Sequence, residues 1–197
     1  MKGNFFAMMS RMKYIERWAL MKNTAQENVC EHSLEVAMIA HALAVIGNTR
    51  FNKDLNAEKA ALIGMYHDSS EIITGDMPTP VKYYNEEIKN AMKEVECVAN
   101  KKILNMLPED MRESYKSIFF KTEEDEYLWK LVKGADKISA LIKCMEEMNT
   151  GNTEFRSAKA SLEKSIDQME LPEIEVFIKD FLPAYGNTLD ELSNPNE

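Results

Sequence analysis

The amino-acid sequence predicts an all-α protein built as a single multi-helix domain. Apolar residues recur at helical spacing from one end of the chain to the other. Only seven glycines and six prolines interrupt the 197 residues, whereas Met, Leu, Ala, Glu and Lys, which favour helix over sheet, are abundant. No repeat, low-complexity stretch or linker divides the chain, so we expect one domain covering residues 1–197.

The hydrophobic periodicity predicts eight helical segments, and the residues at their ends support them. In chain order the segments are residues 4–15, 27–46, 56–73, 85–106, 109–119, 123–149, 153–168 and 172–184. Typical boundary residues are Asn56 and Thr153 as N-caps, Pro108 and Pro172 near helix starts, and Gly151 after the long helix. The acidic run 123–126 suits the first turn of its helix.

One segment breaks the helical pattern. Residues 74–80 read Thr-Gly-Asp-Met-Pro-Thr-Pro and cannot continue the preceding helix, because they contain one glycine and two prolines. We expect a rigid, structured loop here. Loops of this kind often carry substrate contacts.

The charge and the cysteine content indicate which kinds of partner the protein can bind and in which cellular compartment it works. The chain has 24 Lys and Arg against 33 Asp and Glu, a formal net charge of −9, and no evident basic cluster, which argues against a nucleic-acid polymer as partner. A small anionic substrate remains compatible, since a metal ion or one Arg can supply local positive charge. Three scattered cysteines without a C-x-x-C motif or a leader indicate the cytoplasm. No apolar run approaches the ~18 residues that span a bilayer, so we expect a soluble protein without membrane association.

A histidine lies where the core of the second helix should be. His32 falls in a gap of the apolar stripe formed by Val29, Val36, Ile39 and Leu43. His41 follows nine residues later, about 180° around the same helix, so the two cannot serve one site.

Two further segments present polar groups toward the predicted interior. His67, Asp68 and Glu71 follow Ala60 and Gly64 along what we expect to be one continuous helix face. Asp136 interrupts an apolar strip between Val132 and Ala140, with Ser139 one turn further on. A buried carboxylate without a partner costs several kcal/mol, so a positive group should meet it.

Together these residues suggest a metal site. Two imidazoles and two carboxylates form a mixed N/O ligand set that suits a divalent ion such as Mn, Fe, Co or Ni, with water in the open positions. The scattered cysteines do not suggest thiolate-rich structural zinc. The alternative is that the histidines are hydrogen-bonded core residues, the commoner state of a single His on an apolar face.

The order of these residues resembles the H…HD…D signature of the HD-domain metal-dependent phosphohydrolases. His32 supplies the first element, His67-Asp68 the second and Asp136 the third. The chain also resembles the bacterial HD-domain 5′-deoxynucleotidase family over nearly its whole length. Four motifs carry this resemblance. They are Arg17-Trp18, Glu31-His32-Ser33, residues 66–71 (YHDSSE) and residues 74–82 (TGDMPTPVK).

The resemblance implies a fold, an activity and roles for residues. It implies a homodimeric HD-domain bundle that hydrolyses deoxyribonucleoside 5′-monophosphates to deoxyribonucleoside and phosphate.

One divalent transition metal ion is implied, Co²⁺ or Mn²⁺ first, with Fe²⁺, Ni²⁺, Cu²⁺ or Zn²⁺ as further candidates. The implied metal ligands are His32, His67, Asp68 and Asp136. The implied catalytic residues are Asp68 and Glu71, with Glu71 as acid and base. The implied substrate contacts are Arg17, Trp18, His32, Asp68, Asp76, Met77, Pro78, Thr79 and Asp136.

The predicted mechanism is attack on phosphorus by a water molecule whose pKa a bound metal ion would lower toward about 7. Arg17 offers a planar fork for phosphate oxygens, although an arginine is more often a solvated surface residue. Trp18 either stacks on that guanidinium or fills core space. Asp76 either accepts a hydrogen bond from the sugar 3′-hydroxyl or is a turn residue.

Two other functions remain open at this level. The same metal site could act on another phosphoester, such as a nucleoside triphosphate, a cyclic nucleotide or a guanosine tetraphosphate alarmone. Few additional basic residues lie near the motifs to receive a polyphosphate. The second alternative is a non-catalytic, metal-stabilised module that binds a nucleotide, but such a module would need neither Glu71 nor Arg17.

Overall fold

The structure is a computed structural model that describes residues 3–82 and 84–193, and helices make up its regular secondary structure, with loops and turns between them. The helices are α1 (Phe5–Met9), α2 (Val29–Phe51), α3 (Ala57–Tyr66), α4 (Glu71–Thr74), α5 (Thr79–Lys82), α6 (Glu86–Leu104), α7 (Glu109–Phe119), α8 (Glu126–Asn149), α9 (Arg156–Asp167), α10 (Pro172–Asp180) and α11 (Leu189–Ser193). Short 3₁₀ helices cover Ser10–Tyr14, Thr153–Phe155 and Leu182–Gly186. Within the described ranges, β-type pairing is limited to one antiparallel bridge between Glu16 and Asn28. The predicted all-α class is confirmed.

Helix α2 lies at the centre and packs against α3, α8 and α10. It begins with a complete capping box, in which the Asn28 side chain accepts from the backbone N–H groups of Cys30 and Glu31 while the Glu31 carboxylate accepts from Asn28 N–H. This cap fixes the start of α2. His32 therefore enters the core at the end of the first helical turn.

Two apolar clusters hold the helices together. The larger joins α2, α3, α8 and α10 through fully buried side chains such as Leu43, Ile63 and Leu131. The smaller is built on Phe5 and Ile103, joins α1, α6 and α7, and packs against Tyr66 at the end of α3. The segment that follows Tyr66 thus lies where the two clusters meet.

The expectation that no segment could cross a membrane needs correction. Helix α2 is long and apolar enough by length and composition, with a mean hydropathy of 1.5 over its most apolar 18-residue window. The prediction considered unbroken apolar runs, and Glu31, His32 and Glu35 interrupt the run without making the helix polar on average. Of that window, 56% is buried inside the fold, where α2 is the central core helix.

Several predicted element boundaries were wrong. The segment 56–73 is not one helix: α3 ends at Tyr66, residues 67–70 form turns, and α4 begins at Glu71. Segment 4–15 divides into α1 and a 3₁₀ helix, and the predicted loop 74–80 runs into α5 at Thr79. Asn56 caps α3 as predicted, but Asn152 rather than Thr153 caps the turn before α9.

A glycine allows α2 and α3 to approach closely. A Cβ at Gly64 would lie 2.9 Å from the Ala37 Cα atom and 3.0 Å from its backbone nitrogen. These neighbours are backbone atoms of α2, so no side-chain rotation could make room. The absence of a side chain at residue 64 therefore brings the C-terminal end of α3 to within reach of His32.

Candidate active site

His32 is buried between α2 and α8, and both ring nitrogens face polar atoms of α8. Its side chain is 0% exposed. Nδ1 lies 2.9 Å from the Ser139 hydroxyl oxygen, and Nε2 lies 3.2 Å from Asp136 Oδ1. The predicted inward orientation of His32 thus agrees with the structure, and Asp136 lies beside it.

His67 and Asp68 come from the turn after α3 rather than from a helix face. His67 Nδ1 lies 2.7 Å from the Gly64 carbonyl oxygen, to which its N–H donates. Its Nε2 lies 3.1 Å from Asp68 Oδ2, which is also 3.5 Å from His32 Nε2. The turn is closed by the backbone N–H of Glu71, which donates to the Asp68 carbonyl. The expected continuous helix face is therefore absent, but the turn still brings these groups together.

The arrangement fits a divalent metal ion. Ligand atoms of His32, His67 and Asp68 all lie within 4.8 Å of one another. Both Nε2 atoms are buried and make no hydrogen bond, although carboxylate oxygens are close by. Buried polar atoms without partners are costly, and a cation between two imidazoles and a carboxylate would satisfy them. Asp136 stands outside this group of three, with a side chain 39% exposed, and approaches it through His32.

Electrostatics within this cluster favour charged carboxylates and charged imidazole. Burial disfavours the charged form of His67, but the Asp68 carboxylate outweighs it and raises the pKa of His67 to about 9. Burial likewise opposes ionisation of Asp68 and Asp136. The neighbouring imidazole, that of His67 for the first and that of His32 for the second, nevertheless holds both carboxyl pKa values below their usual range.

Arg17 reaches the same centre from the N-terminal segment. Its side chain is 10% exposed, and NH1 lies 3.5 Å from Asp68 Oδ2. Its Nε donates to Glu27 Oε2 at 3.1 Å. Backbone pairing places the two residues together, because Arg17 N–H donates to the Glu27 carbonyl. Arg17 is therefore not the solvated surface arginine of the alternative interpretation.

Trp18 supports Arg17 through a shared carboxylate rather than by stacking on its guanidinium, and its ring packs against the buried Phe155. Its indole N–H donates to the same Glu27 Oε2 at 3.0 Å. Its ring packs on Phe155, with centroids 5.4 Å apart and a 57° angle between the planes, and no stacking on Arg17 is found in the described part of the chain. Its backbone φ of 57° lies in the left-handed region, which is unusual for a bulky residue. Glu27 thus links the two side chains.

Glu71 opens α4 and is 8% exposed. Its Oε2 is buried without a hydrogen-bond partner. Burial, together with the like charges of Asp68 and Asp76, raises the pKa of Glu71 to about 10. Burial and these charges thus favour the protonated form of Glu71 in the metal-free protein, the form that a general acid needs.

The loop after α4 brings only part of the predicted sugar pocket toward this centre. Asp76 is half-buried. Its carboxylate is close enough to interact electrostatically with the charges of both Arg17 and Asp68. Burial raises the pKa of Asp76, an effect that the charge of Arg17 and, less strongly, the backbone N–H of Trp18 partly offset. Met77 and Pro78 are half-buried, whereas Thr79 is exposed at the start of α5.

Several residues around the centre were not indicated by the sequence patterns. Glu27 bridges Arg17 and Trp18, and Glu35 accepts from Ser139 behind His32. Lys82 pairs with Glu96 at 2.7 Å and so ties α5 to α6. The position of Glu35, three residues after His32, could have indicated that it lies on the same face of α2 as the histidine. For Glu27 the link joins two loop segments nine to ten residues apart and follows no helical spacing.

A buried carboxylate holds the loop between Arg17 and α2. Glu147 of α8 accepts hydrogen bonds from the backbone N–H groups of Thr24 and Ala25, from the Thr24 hydroxyl and from Asn152. Lys143, one turn earlier, pairs with it at 2.6 Å. Burial opposes ionisation, but Lys143 and these hydrogen bonds lower the pKa of Glu147 well below its usual range.

Solved structures share this fold. A Listeria innocua HD-domain phosphohydrolase superposes with a TM-score of 0.79 at 23% identity, covering 92% of this chain and 88% of that one. The HD phosphohydrolase DatZ of cyanophage S-2L, bound to dA and one catalytic Zn²⁺ ion, has a TM-score of 0.66 at 18% identity, covering 92% of this chain and 96% of that one. The fold is that of the HD-domain phosphohydrolases.

Sequence relatives define the family more narrowly. Residues 4–185 match the family described as 5′-deoxynucleotidase YfbR-like. A 5′-deoxynucleotidase of Erwinia tasmaniensis is 48% identical over 191 residues, 97% of this chain and 96% of its own length. One of Vibrio vulnificus is 46% identical over 192 residues, 98% of this chain and 99% of its own. The chain belongs to the YfbR-like 5′-deoxynucleotidase family, which confirms the resemblance seen in the motifs.

Proposed function

We propose that this protein is a metal-dependent 5′-deoxynucleotidase that hydrolyses deoxyribonucleoside 5′-monophosphates to deoxyribonucleoside and phosphate. One observation carries the proposal: Asp68 Oδ2 lies within 3.5 Å of Arg17, His32 and His67, so a cation site and a phosphate-binding group share one centre. The 5′-deoxynucleotidase names of the relatives support the substrate class.

His32, His67, Asp68 and Asp136 would hold the metal ion in this proposal. A bound divalent ion supplies Lewis acidity toward phosphoryl oxygens and lowers the pKa of a water molecule. We propose Co²⁺ or Mn²⁺ for this chain, because the N/O ligand set suits both.

Arg17 binds the phosphate in this mechanism. Its terminal nitrogens form a fork that can donate to two phosphoryl oxygens, while Nε remains bound to Glu27. The guanidinium also stabilises the charge that redistributes over the phosphoryl oxygens as the bond to the 5′ oxygen breaks. Trp18, anchored to the same carboxylate, limits the movement of Arg17.

Glu71 protonates the departing 5′ oxygen. Burial of Glu71 favours the neutral carboxyl that carries this proton. General acid catalysis of this kind typically contributes about 10²- to 10⁴-fold to the rate. The resulting Glu71 carboxylate would regain its proton from the water molecule that enters for the next turnover, which leaves that water as the hydroxide nucleophile.

The loop of Asp76, Met77, Pro78 and Thr79 forms the sugar side of the pocket in this proposal. Asp76 accepts a hydrogen bond from the 3′-hydroxyl, and the half-buried Met77 and Pro78 contact the deoxyribose. The motif resemblance further leads us to propose a homodimer in the cytoplasm. The acidic composition favours a mononucleotide rather than a nucleic-acid polymer as substrate.

Phosphate release from four nucleotides tests the proposal. The metal-stripped protein is reconstituted with Mn²⁺ or Co²⁺ and assayed with dAMP, AMP, deoxyadenosine 3′-monophosphate and dATP. We expect metal-dependent release from dAMP alone, and Glu71→Gln is the inactive control. Release mainly from dATP or AMP would overturn the substrate assignment, and no release despite one bound metal per chain would overturn the enzymatic one.

A further inference from the structure

We propose that Ser139 and Glu35 form a hydrogen-bonded relay that positions His32 for metal binding. The inference rests on the proposed function, because it takes His32 as a metal ligand. It assigns to Ser139 and Glu35 a positioning role behind the imidazole, on the side away from Asp68.

The relay is short, and its inner bond is shielded from solvent. His32 Nδ1 lies 2.9 Å from Ser139 Oγ, and Ser139 Oγ donates to Glu35 Oε2 at 2.6 Å. Ser139 is 0% exposed and His32 1% exposed, so water does not compete for the bond between them, whereas Glu35 is half-buried. His32 and Glu35 lie one turn apart on α2, whereas Ser139 comes from α8.

The direction of the hydrogen bonds determines which imidazole nitrogen carries the proton. A serine hydroxyl has one hydrogen, and here that hydrogen is directed to the Glu35 carboxylate. Ser139 Oγ must therefore accept from His32 Nδ1–H. In neutral His32 this leaves Nε2 with a free lone pair, and Nε2 is the atom that faces Asp68 and Asp136.

The two histidines of the cluster differ in what orients them. His67 Nδ1 donates to a backbone carbonyl, that of Gly64, which no side-chain substitution removes directly. His32 depends on a side chain, and Ser139 also lies one helical turn after Asp136 on α8. The same segment of α8 thus faces both nitrogens of His32 and hydrogen-bonds one of them. Partners of this kind fix the tautomer and the orientation of metal-bound histidines, and their loss typically weakens metal binding about 10- to 100-fold.

A purely structural link between α2 and α8 is the competing explanation, and metal affinity separates the two. A structural bond would change the melting temperature of the metal-free protein and leave the affinity of the folded protein unchanged. A positioning relay changes the dissociation constant for the metal, because Nε2 is no longer held in the ligand tautomer and orientation.

The experiment measures Mn²⁺ and Co²⁺ dissociation constants by competition with a chelating dye, alongside melting temperatures. We expect Ser139→Ala to weaken binding about 10- to 100-fold. Glu35→Gln keeps an acceptor but loses the charge, and should weaken binding several-fold. Because Glu35 acts through Ser139, the double variant should bind no more weakly than Ser139→Ala alone. At saturating metal, turnover of dAMP should stay within about threefold of wild type, as expected for a residue that touches neither substrate nor the reacting atoms.

Ser33→Ala is the matched control. Ser33 is 2% exposed, adjoins His32 in sequence and has an unpartnered hydroxyl oxygen, so its removal should leave metal affinity unchanged. Unchanged affinity in Ser139→Ala and Glu35→Gln, in a protein whose metal binding is lost in His32→Ala, would overturn the relay alone. Metal binding that persists in His32→Ala would instead overturn the proposed metal site. Should Ser139→Ala fail to fold, the isosteric Glu35→Gln variant carries the test.

Discussion

Replacing Gly64 with alanine tests the link between helix packing and the metal cluster. The added Cβ would lie 2.9 Å from Ala37 Cα and 3.0 Å from Ala37 N, closer than such atoms are found in folded proteins. Only a shift of α3 away from α2 can relieve this contact. Because His67 follows three residues later and donates to the Gly64 carbonyl, the shift must also move a predicted metal ligand.

Two opposing contributions set the expected loss of stability. Overpacking a core typically costs about 1–3 kcal/mol, and the backbone contact here places Gly64→Ala in the upper half of that range. Alanine in a helix interior offsets about 1 kcal/mol of this through its better helix propensity. The net loss is then about 1–2 kcal/mol, which corresponds to a melting temperature roughly 2–8 °C lower for a chain of this length. We expect metal affinity to fall about tenfold through the displaced His67.

Gly134→Ala in α8 provides the control for these measurements. Its Cβ would approach Ile174 Cδ1 at 2.5 Å and Met169 Cε at 3.6 Å, which are ends of flexible side chains that can move. Thermal unfolding of the metal-free proteins and metal titration should show a smaller loss of stability and unchanged affinity for Gly134→Ala. If Gly64→Ala unfolds at the wild-type temperature and binds metal normally, the close approach of α2 and α3 does not position His67.

Three further predictions concern the acid, the phosphate ligand and the loop anchor. Glu71→Gln should retain metal affinity and lose about 10²- to 10⁴-fold in turnover of dAMP, and comparable turnover would remove Glu71 from the mechanism. Arg17→Lys keeps the charge but loses the planar fork, so the inhibition constant of inorganic phosphate should rise, whereas an unchanged constant would contradict phosphate binding by Arg17. Glu147 has a lowered pKa in the folded protein, so its stabilising effect is present above the unfolded-state pKa and is lost as pH falls through the acidic range. The difference in melting temperature between wild type and Glu147→Gln should accordingly shrink on acidification from neutral pH, and a constant difference would show that the Glu147 charge is not responsible.

The fold class was predictable because it depends on local patterns. Apolar spacing places α2, α6 and α8 to within a few residues, and Asn56 caps α3 through its own side chain. The break after Tyr66 was not predictable in this way. The residues of the turn are compatible with helix, and the turn forms because tertiary contacts there outweigh local propensity.

In the candidate site, too, the residue types were predictable from local sequence, whereas the contacts between them were not. His32, His67, Asp68 and Asp136 could be proposed from sequence, because each interrupts an apolar pattern or belongs to a motif whose order survives in the chain. The contacts that orient these side chains could not be predicted, since Ser139 lies 107 residues from His32 and 104 from Glu35. Nothing in local sequence encodes a contact at that separation.

The sequence by itself therefore determined the helical class, the family and the chemical types of the site residues, because these depend on composition, periodicity and motif order. Only the tertiary structure decided that Asp68 Oδ2 lies at the meeting point of Arg17, His32 and His67, and that Asp136 reaches the cluster through His32. It also decided that Glu27, Ser139 and Glu35 are the orienting groups. The physical reason is that metal-site geometry and pKa values depend on distances of a few ångströms between residues far apart in sequence. Those distances exist only once α2, the turn after α3 and α8 have packed together.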